Sequence, residues 1–541
     1  MQDRNEGWMQ WAPWLVAVLA AFAWLPPLGL HDYWFPDEPD VALPVVEMIA
    51  RGDWIVPTAN GQPWLDYPVL TYWGGLFWSH LLGGVTPFAL RLTPLIGGLV
   101  FLLSTVWLAR SIAGARAAWY AALAAAAAPL VWMMATTLQV DMVFAGTQAL
   151  GYALYVAGDQ RKGRAAVVLR MAAFLAFGLA VLAKGPLGVL LPGLILTLWH
   201  AWNREWSRIL WLAPLALLSV AVAALWYVPL VGRLGADYVG QELWLQNFDR
   251  FGTTTRGHGG HSVFYYFTSL FGDLGPWTLL LAGALWQFWR ERNQRGLRLV
   301  GLWFLVSILF LSAASTKRSV YLLPAYPAMF VLIGWWVAGR TQVAWLRACL
   351  GITTAFFAAS AVALVFWRTT HYAQLPQVAR ILPFLAVGSN TLAVLFAGGA
   401  ALTGLALWRR ELQQGVRACG ATLLLAYVAA MWLIIPVIDQ VRDYRLPTAW
   451  LMAISPDRGP VGFFAPGLEV TKRAGWLCYL QGRHLQFFET AGQAQAWLAE
   501  KPDRLVLADP DSSPAVPGTH ILVNWMIGEQ KWIVLAHAAG R

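Results

Sequence analysis

Residues 69–82 read VLTYWGGLFWSHLL, and the topology of the whole chain turns on whether this apolar stretch crosses a membrane. As a helix it would cover only about 21 Å at 1.5 Å per residue, short of the ~30 Å of a bilayer's hydrocarbon core. The charges around it decide the matter. If 69–82 lies on the surface, the loops on one side of the membrane hold Arg110 and Arg116; Arg161, Lys162 and Arg164; and Arg204 and Arg208. The same side then receives Arg290, Arg292, Arg295 and Arg298; Arg340; and Arg409, Arg410 and Arg417. Cytoplasmic loops carry such an excess of Lys and Arg. Counting 69–82 as a span would put every later basic loop outside, so it reads as an interfacial helix.

The rest of the chain explains why a membrane is at issue. Of 541 residues 58% are hydrophobic and only 12% charged, against about 25% charged in soluble domains. Apolar runs long enough to span recur at roughly 12–30, 89–109, 117–134, 141–157, 166–183, 186–202, 209–230, 263–286, 298–313, 319–338, 347–367, 383–407 and 418–438. The 33 tryptophans fit helices that end at headgroups. A net charge of +10 follows from basic inner loops and calls for no nucleic acid. Cys349, Cys419 and Cys478 stand singly, so neither a disulfide framework nor a cysteine metal site is indicated. The first apolar segment resembles a signal peptide, with Ala21-Phe22-Ala23 placed like a cleavage site, but MQDRNEGW is not clearly basic; it reads as an uncleaved first span.

Thirteen spans with the N-terminus inside leave the C-terminus outside. The fold expected is an α-helical polytopic membrane domain over 1–438 and a small α/β domain over 439–541. The outer face then holds the loop 31–88, the loop 231–262 and the tail. In the tail, β-type runs VGFF, LQFF, RLVLA and KWIVLA alternate with the helix-like AGQAQAWLAE and with turns such as ADPDSSP.

The first outer loop reads HDYWFPDEPDVALPVVEMIARGDWIVPTANGQPWLDYPVLTYW over residues 31–73. Asp37 and Glu38 lie just past the first span between Pro36 and Pro39, which stiffen the turn. Taken alone they could be solvated loop charges. Asp141 opens the fourth span on the outer side, where an ionisable group can also snorkel to the surface. Lys184 and the Lys317-Arg318 pair are cations on the outer side, against the charge rule.

This order of residues resembles the GT-C glycosyltransferases, in particular the lipid A aminoarabinose transferases and the protein O-mannosyltransferases. The resemblance rests on Asp37-Glu38-Pro39, Gly52-Asp53-Trp54, Pro57, Asn60-Gly61, Pro68 and Tyr72-Trp73. It continues through Asn247-Phe248-Asp249-Arg250-Phe251, Tyr265-Tyr266, Pro276-Trp277, Lys317-Arg318-Ser319 and Tyr321-Leu322-Leu323-Pro324. It covers most of the membrane region but is not claimed for the tail. Two positions depart from the aminoarabinose pattern: Asp40-Val41 stands in place of Arg-Tyr, and Tyr67-Pro68-Val69 in place of Lys-Pro-Pro. These put the sugar and acceptor in doubt.

The resemblance implies an enzyme of the bacterial inner membrane that takes a sugar from a polyprenyl (undecaprenyl) phosphate and transfers it, with inversion, at the periplasmic face. A lipid A or lipopolysaccharide acceptor is preferred, a protein hydroxyl second. Asp37, Glu38 and Asp141 are the expected catalytic acids. Lys184, Arg250, Arg256, Lys317 and Arg318, with Tyr265 and Tyr321, are the expected substrate contacts, since cations at the leaving phosphate stabilise its developing charge. Asp66 with His258 or His261 occupies positions where the resemblance implies a divalent metal, zinc or similar; the histidines of GHGGH read equally well as solvated loop residues. Two other classes compete. A transporter of lipid-linked sugar would place its polar groups near mid-membrane, and a scaffold presenting the tail would tolerate loss of Asp37.

Overall fold

The computed structural model describes residues 10–34, 37–246, 261–339, 343–367, 376–455, 459–465, 475–480, 483–501, 503–511, 515–527 and 530–538. The chain is a multi-pass helical membrane protein. Among the described residues nine helices are long and apolar enough to cross a bilayer, and a pair bent by 63° makes a tenth. The remaining three of the thirteen expected spans are less regular. Region 186–202 gives the 16-residue helix Leu187–Trp202, 263–286 gives two helices that meet at Gly275-Pro276, and Val140–Asp159 carries an aspartate at each end.

The helices that position the site come early. They are α1 (Ala12–Trp24), α2 (Asp37–Arg51), α3 (Leu70–Leu82), α4 (Pro87–Ala113), the bent pair α5 (Ala115–Ala126) and α6 (Pro129–Thr136), α7 (Val140–Asp159) and α8 (Gly163–Lys184). Helix α3 is the stretch 69–82. At 13 residues it reaches only about 20 Å, too short to span. It buries Tyr72, Gly75 and Leu76 and leaves Phe77, Leu81 and Leu82 exposed. Close seating depends on Gly75, where a Cβ would come within 2.9 Å of the Val45 side chain on α2. Helices α4 and α7 touch backbone to backbone: a Cβ on Gly146 would lie 2.3 Å from the Gly97 carbonyl oxygen. Small residues at such crossings are how helices pack tightly without a hydrophobic drive between them, and this one fixes the start of α7.

At the end expected to face the cytoplasm, Arg295 forks onto Asp159 with both bonds at 2.9 Å and also meets Glu205. Arg208 joins the same Asp159. Basic loops assigned to one side from charge alone therefore converge in space.

The first outer loop owes its shape to its motif residues. Gly52 (φ +64°) ends α2 in the left-handed region, and the Asp53 carboxylate accepts the Ile55 and Val56 N–H groups. Asn60 and Gly61, at φ +54° and +79°, make the tight turn of a small hairpin, β1 (Thr58–Ala59) and β2 (Gln62–Pro63). Glu47 holds that turn through Thr58 and the Asn60 and Gly61 N–H groups.

The tail forms a five-stranded sheet from β3 (Val461–Phe464), β4 (Leu485–Phe488), β5 (Val506–Ala508), β6 (Thr519–Ile527) and β7 (Gln530–His537), in the order β4-β3-β5-β7-β6. Strand β3 runs parallel to β4 and β5, whereas β7 runs antiparallel to β5 and β6. The helix Ala491–Glu500 begins at a capping box of Thr490 and Gln493. The sheet does not stand apart. Tyr33, Val41 and Met48 of the first loop share one apolar core with Leu451, Trp476 and Trp532 of the tail.

Candidate active site

Asp37 and Glu38, adjacent in sequence, occupy different environments. Both open α2, where a helix N-terminus favours negative charge. Glu38 turns inward and is 1% exposed. Its oxygens accept Arg91 Nε and Nη2, each at 2.7 Å, and the Leu138 and Trp34 N–H groups, also at 2.7 Å. Burial raises its pKa, but the Arg91 charge and hydrogen bonds outweigh this and hold it below the usual carboxylate range. Arg91, wholly buried, donates further to the Leu28, His31 and Asp32 carbonyls. Glu38, expected to be catalytic, is thus walled in: it joins α2, α4 and the approach to α7, with all its bonds made inside the protein.

Asp37 faces outward. Arg318, at the start of the 3-10 turn Ser319–Ala325, forks onto it with Nη1–Oδ1 at 3.0 Å and Nη2–Oδ2 at 2.7 Å. Gln139, the residue before α7, donates to the same Oδ2 at 2.8 Å. The pair keeps about a quarter of its side-chain surface open, 24% for Arg318 and 27% for Asp37. Despite burial, the bonds to Asp37 and its charge raise the Arg318 pKa further.

Asp141, in the first turn of α7, pairs with Lys184 in the last turn of α8. The Lys184 ammonium also lies over the Tyr321 ring, 4.4 Å from its centroid. Gln139, which bonds Asp37, stands two residues before Asp141, and Tyr321, under the Lys184 ammonium, three residues after Arg318, so the two ion pairs are neighbours. Beside them opens a cavity of about 1060 Å³, its open mouth included. Asp66, Lys184, Glu242 and Tyr321 supply polar lining; Trp226, Leu230 and Phe310 belong to its apolar wall. The cavity thus sets one cation, Lys184, and the acids Asp66 and Glu242 against an apolar wall, a combination suited to an amphipathic ligand.

The other expected residues are placed as follows. Lys317 is 3% exposed, its ammonium donating to the Ala314 and His261 carbonyls at 2.5 and 3.1 Å; it stitches two loops together rather than facing the cavity. Tyr265 stacks on the His261 ring with centroids 4.5 Å apart. Arg250, Arg256 and His258 lie outside the described residues. Among the described residues no three His, Cys, Asp or Glu side chains gather as metal ligands.

Asp40, one turn along α2, belongs to one of the two departures from the aminoarabinose pattern. Burial, with the charges of Asp66 and Asp37, pushes its pKa up to about 8, against a smaller opposing pull from Arg318. Between the ordinary carboxylate range and about 8 the folded protein therefore holds a proton that the unfolded chain releases, and stability falls as pH rises through this window. Above it, a fresh negative charge appears beside Asp37. Asp40→Asn is expected to flatten this decline, measured as Tm against pH and as the alkaline limb of the activity profile. An unchanged profile would remove Asp40 from both.

Sequence reasoning missed Arg91, Gln139 and Asp40. For Arg91 a signal existed: a lone cation inside an apolar span needs a partner.

In fold the chain resembles multi-pass membrane proteins of the GT-C type. A family model described as dolichyl-phosphate-mannose-protein mannosyltransferase matches residues 66–231. The particular relatives are aminoarabinose transferases. The chain is 30% identical over 332 residues to the undecaprenyl phosphate-alpha-4-amino-4-deoxy-L-arabinose arabinosyl transferase of Edwardsiella ictaluri, a match that covers 60% of this chain and spans 59% of that protein's length. To the enzyme of the same description from Pseudomonas aeruginosa (strain UCBPP-PA14) it is 27% identical over 509 residues, 93% of this chain and 85% of that one. The crystal structure of ArnT from Cupriavidus metallidurans bound to undecaprenyl phosphate superposes with a TM-score of 0.78 at 21% identity, covering 98% of each chain. The shared fold therefore includes the tail.

Proposed function

We propose that this chain transfers a sugar from an undecaprenyl phosphate donor to a lipid A or other lipopolysaccharide acceptor at the outer face of a bacterial inner membrane. Its N-terminus is cytoplasmic and residues 439–541 are periplasmic. The observation that carries the reading is the Asp37–Arg318 fork standing next to the Asp141–Lys184 pair, beside a cavity with an apolar wall. The names and substrates of the relatives support the donor class.

In a single displacement the acceptor oxygen bonds to the anomeric carbon from one face while the carbon–oxygen bond to the carrier phosphate breaks on the other. The electron pair leaves with the phosphate. Arg318 and Lys184 are the cations placed to meet that growing charge, which is where electrostatic stabilisation acts most strongly. Asp37 and Asp141 hold the two cations in place. If the acceptor is a hydroxyl, its proton goes to Asp37; an ionised phosphate on lipid A brings none. Transfer to a protein hydroxyl is the second reading, supported by the mannosyltransferase model over residues 66–231.

Purified protein given radiolabelled undecaprenyl phosphate sugars should label lipid A. Label in a peptide instead would select the second reading. Donor movement across vesicles with no transfer to any acceptor would sink both in favour of transport. Because the chain's own cations face the leaving group, transfer is expected to survive EDTA. Loss on chelation, restored by zinc, would establish a metal requirement and make Asp66 with His258 or His261 the ligands to substitute next.

A further inference from the structure

The tail reaches back to the loop that carries Asp37. Asp32, wholly buried, accepts the Tyr33 N–H at 2.6 Å, the Tyr444 N–H at 2.7 Å and the Tyr479 hydroxyl. Asp439 takes the Asp32 N–H at 2.8 Å and the Trp34 indole N–H at 3.0 Å on one oxygen, and Arg445 at 2.9 Å on the other. The Trp34 backbone N–H goes to Glu38, the neighbour of Asp37 in the first turn of α2. A continuous run of hydrogen bonds thus joins Tyr479 to the reacting end of the first loop. A second clasp lies further out, where the Asn60 side-chain amide pairs with both backbone groups of Leu485 on the edge strand β4, at 3.1 and 2.9 Å.

We infer that Tyr479 and Asp439 are positioning residues: the tail fixes residues 31–34, and through Trp34 and Glu38 the direction from which Asp37 meets Arg318. This rests on the transferase reading above. Neither residue is placed in contact with substrate, so their removal should slow the chemical step more than it weakens binding. Small misplacement of a reacting group costs up to about a hundredfold in rate.

The test uses the full-length protein. Tyr479→Phe and Asp439→Ala are expected to lower kcat about ten- to a hundredfold with KM for the donor little changed. Asp439→Asn, which keeps an acceptor for the Asp32 and Trp34 N–H groups, should recover most of the rate. Arg504→Ala, which breaks a pair with Glu500 on the far helix of the tail, should leave kcat as it is. Hydrogen exchange reads the tether without any transfer: amides of residues 31–38 should exchange faster in Tyr479→Phe, those of 491–500 at the wild-type rate. Unchanged exchange over 31–38, or a kcat equal to wild type, overturns the inference. A wild-type protein inactive on every donor overturns the transferase reading instead, and the exchange result stands separately.

Discussion

Asp37→Asn is expected to abolish sugar transfer while the protein stays folded. The amide is the same size as the carboxylate and can still accept one hydrogen bond from Arg318 or Gln139, so the loop keeps its shape. What is lost is the charge that aligns both arms of the guanidinium and, with a hydroxyl acceptor, the group that receives its proton. General-base catalysis is worth about 10²–10⁴ in rate, and a misaligned anion clamp carries a penalty of similar order. Initial rates with labelled donor, beside a size-exclusion profile showing the same monodisperse protein, measure it. A variant turning over within about threefold of wild type would remove Asp37 from the mechanism and return the scaffold reading to contention.

The second large effect falls on folding. Arg91→Ala leaves Glu38 buried without its counter-charge and strips the Leu28, His31 and Asp32 carbonyls of a shared donor. Removing one member of a buried pair costs about 3–5 kcal/mol, and each abandoned acceptor adds about 1–3 kcal/mol. Those costs are comparable to the whole stability of an ordinary domain. The expected result is a protein that is degraded or aggregates on extraction. Arg91→Lys should rescue little, because a single ammonium cannot reproduce a planar fork that reaches two carboxylate oxygens and three carbonyls. Thermal unfolding in detergent provides the measurement; a wild-type midpoint for Arg91→Ala would contradict the role given to Glu38.

Much of this was legible from residue order. The shortness of 69–82 and the one-sided arginines placed the first loop on the face opposite the basic loops, and the acids and cations expected there then had only one face on which to meet. In the tail the runs that form β3, β4, β5, β7 and the helix Ala491–Glu500 were equally plain, whereas β6 (Thr519–Ile527) and the helix Arg445–Ile454 were not picked out. Direction was harder to read. Arg318 has extended backbone, φ −132° and ψ +147°, and successive side chains of an extended segment point opposite ways; hence Arg318 reaches Asp37 while Lys317 is spent on carbonyls. The same holds for Asp37 and Glu38, since neighbours on a helix sit about 100° apart. Arg91 was passed over because an apolar stretch reads as a span with or without one cation, although a lone cation there signals a buried partner. The docking of the tail on the first loop depends on contacts between residues hundreds of positions apart, for which a single sequence carries no periodic signal.

Helix α3 sets a depth. With Phe77, Leu81 and Leu82 turned outward on a helix too short to span, the loop that the Trp73 indole fastens to it through the Trp54 carbonyl is kept near the membrane surface. On the proposed transferase reading, a lipid-linked donor and a lipid acceptor would meet there without leaving the leaflet. Chemistry is brought down to the lipids, and a carrier with a shortened isoprenoid tail should serve nearly as well as the full-length one once its phosphate sits at that plane.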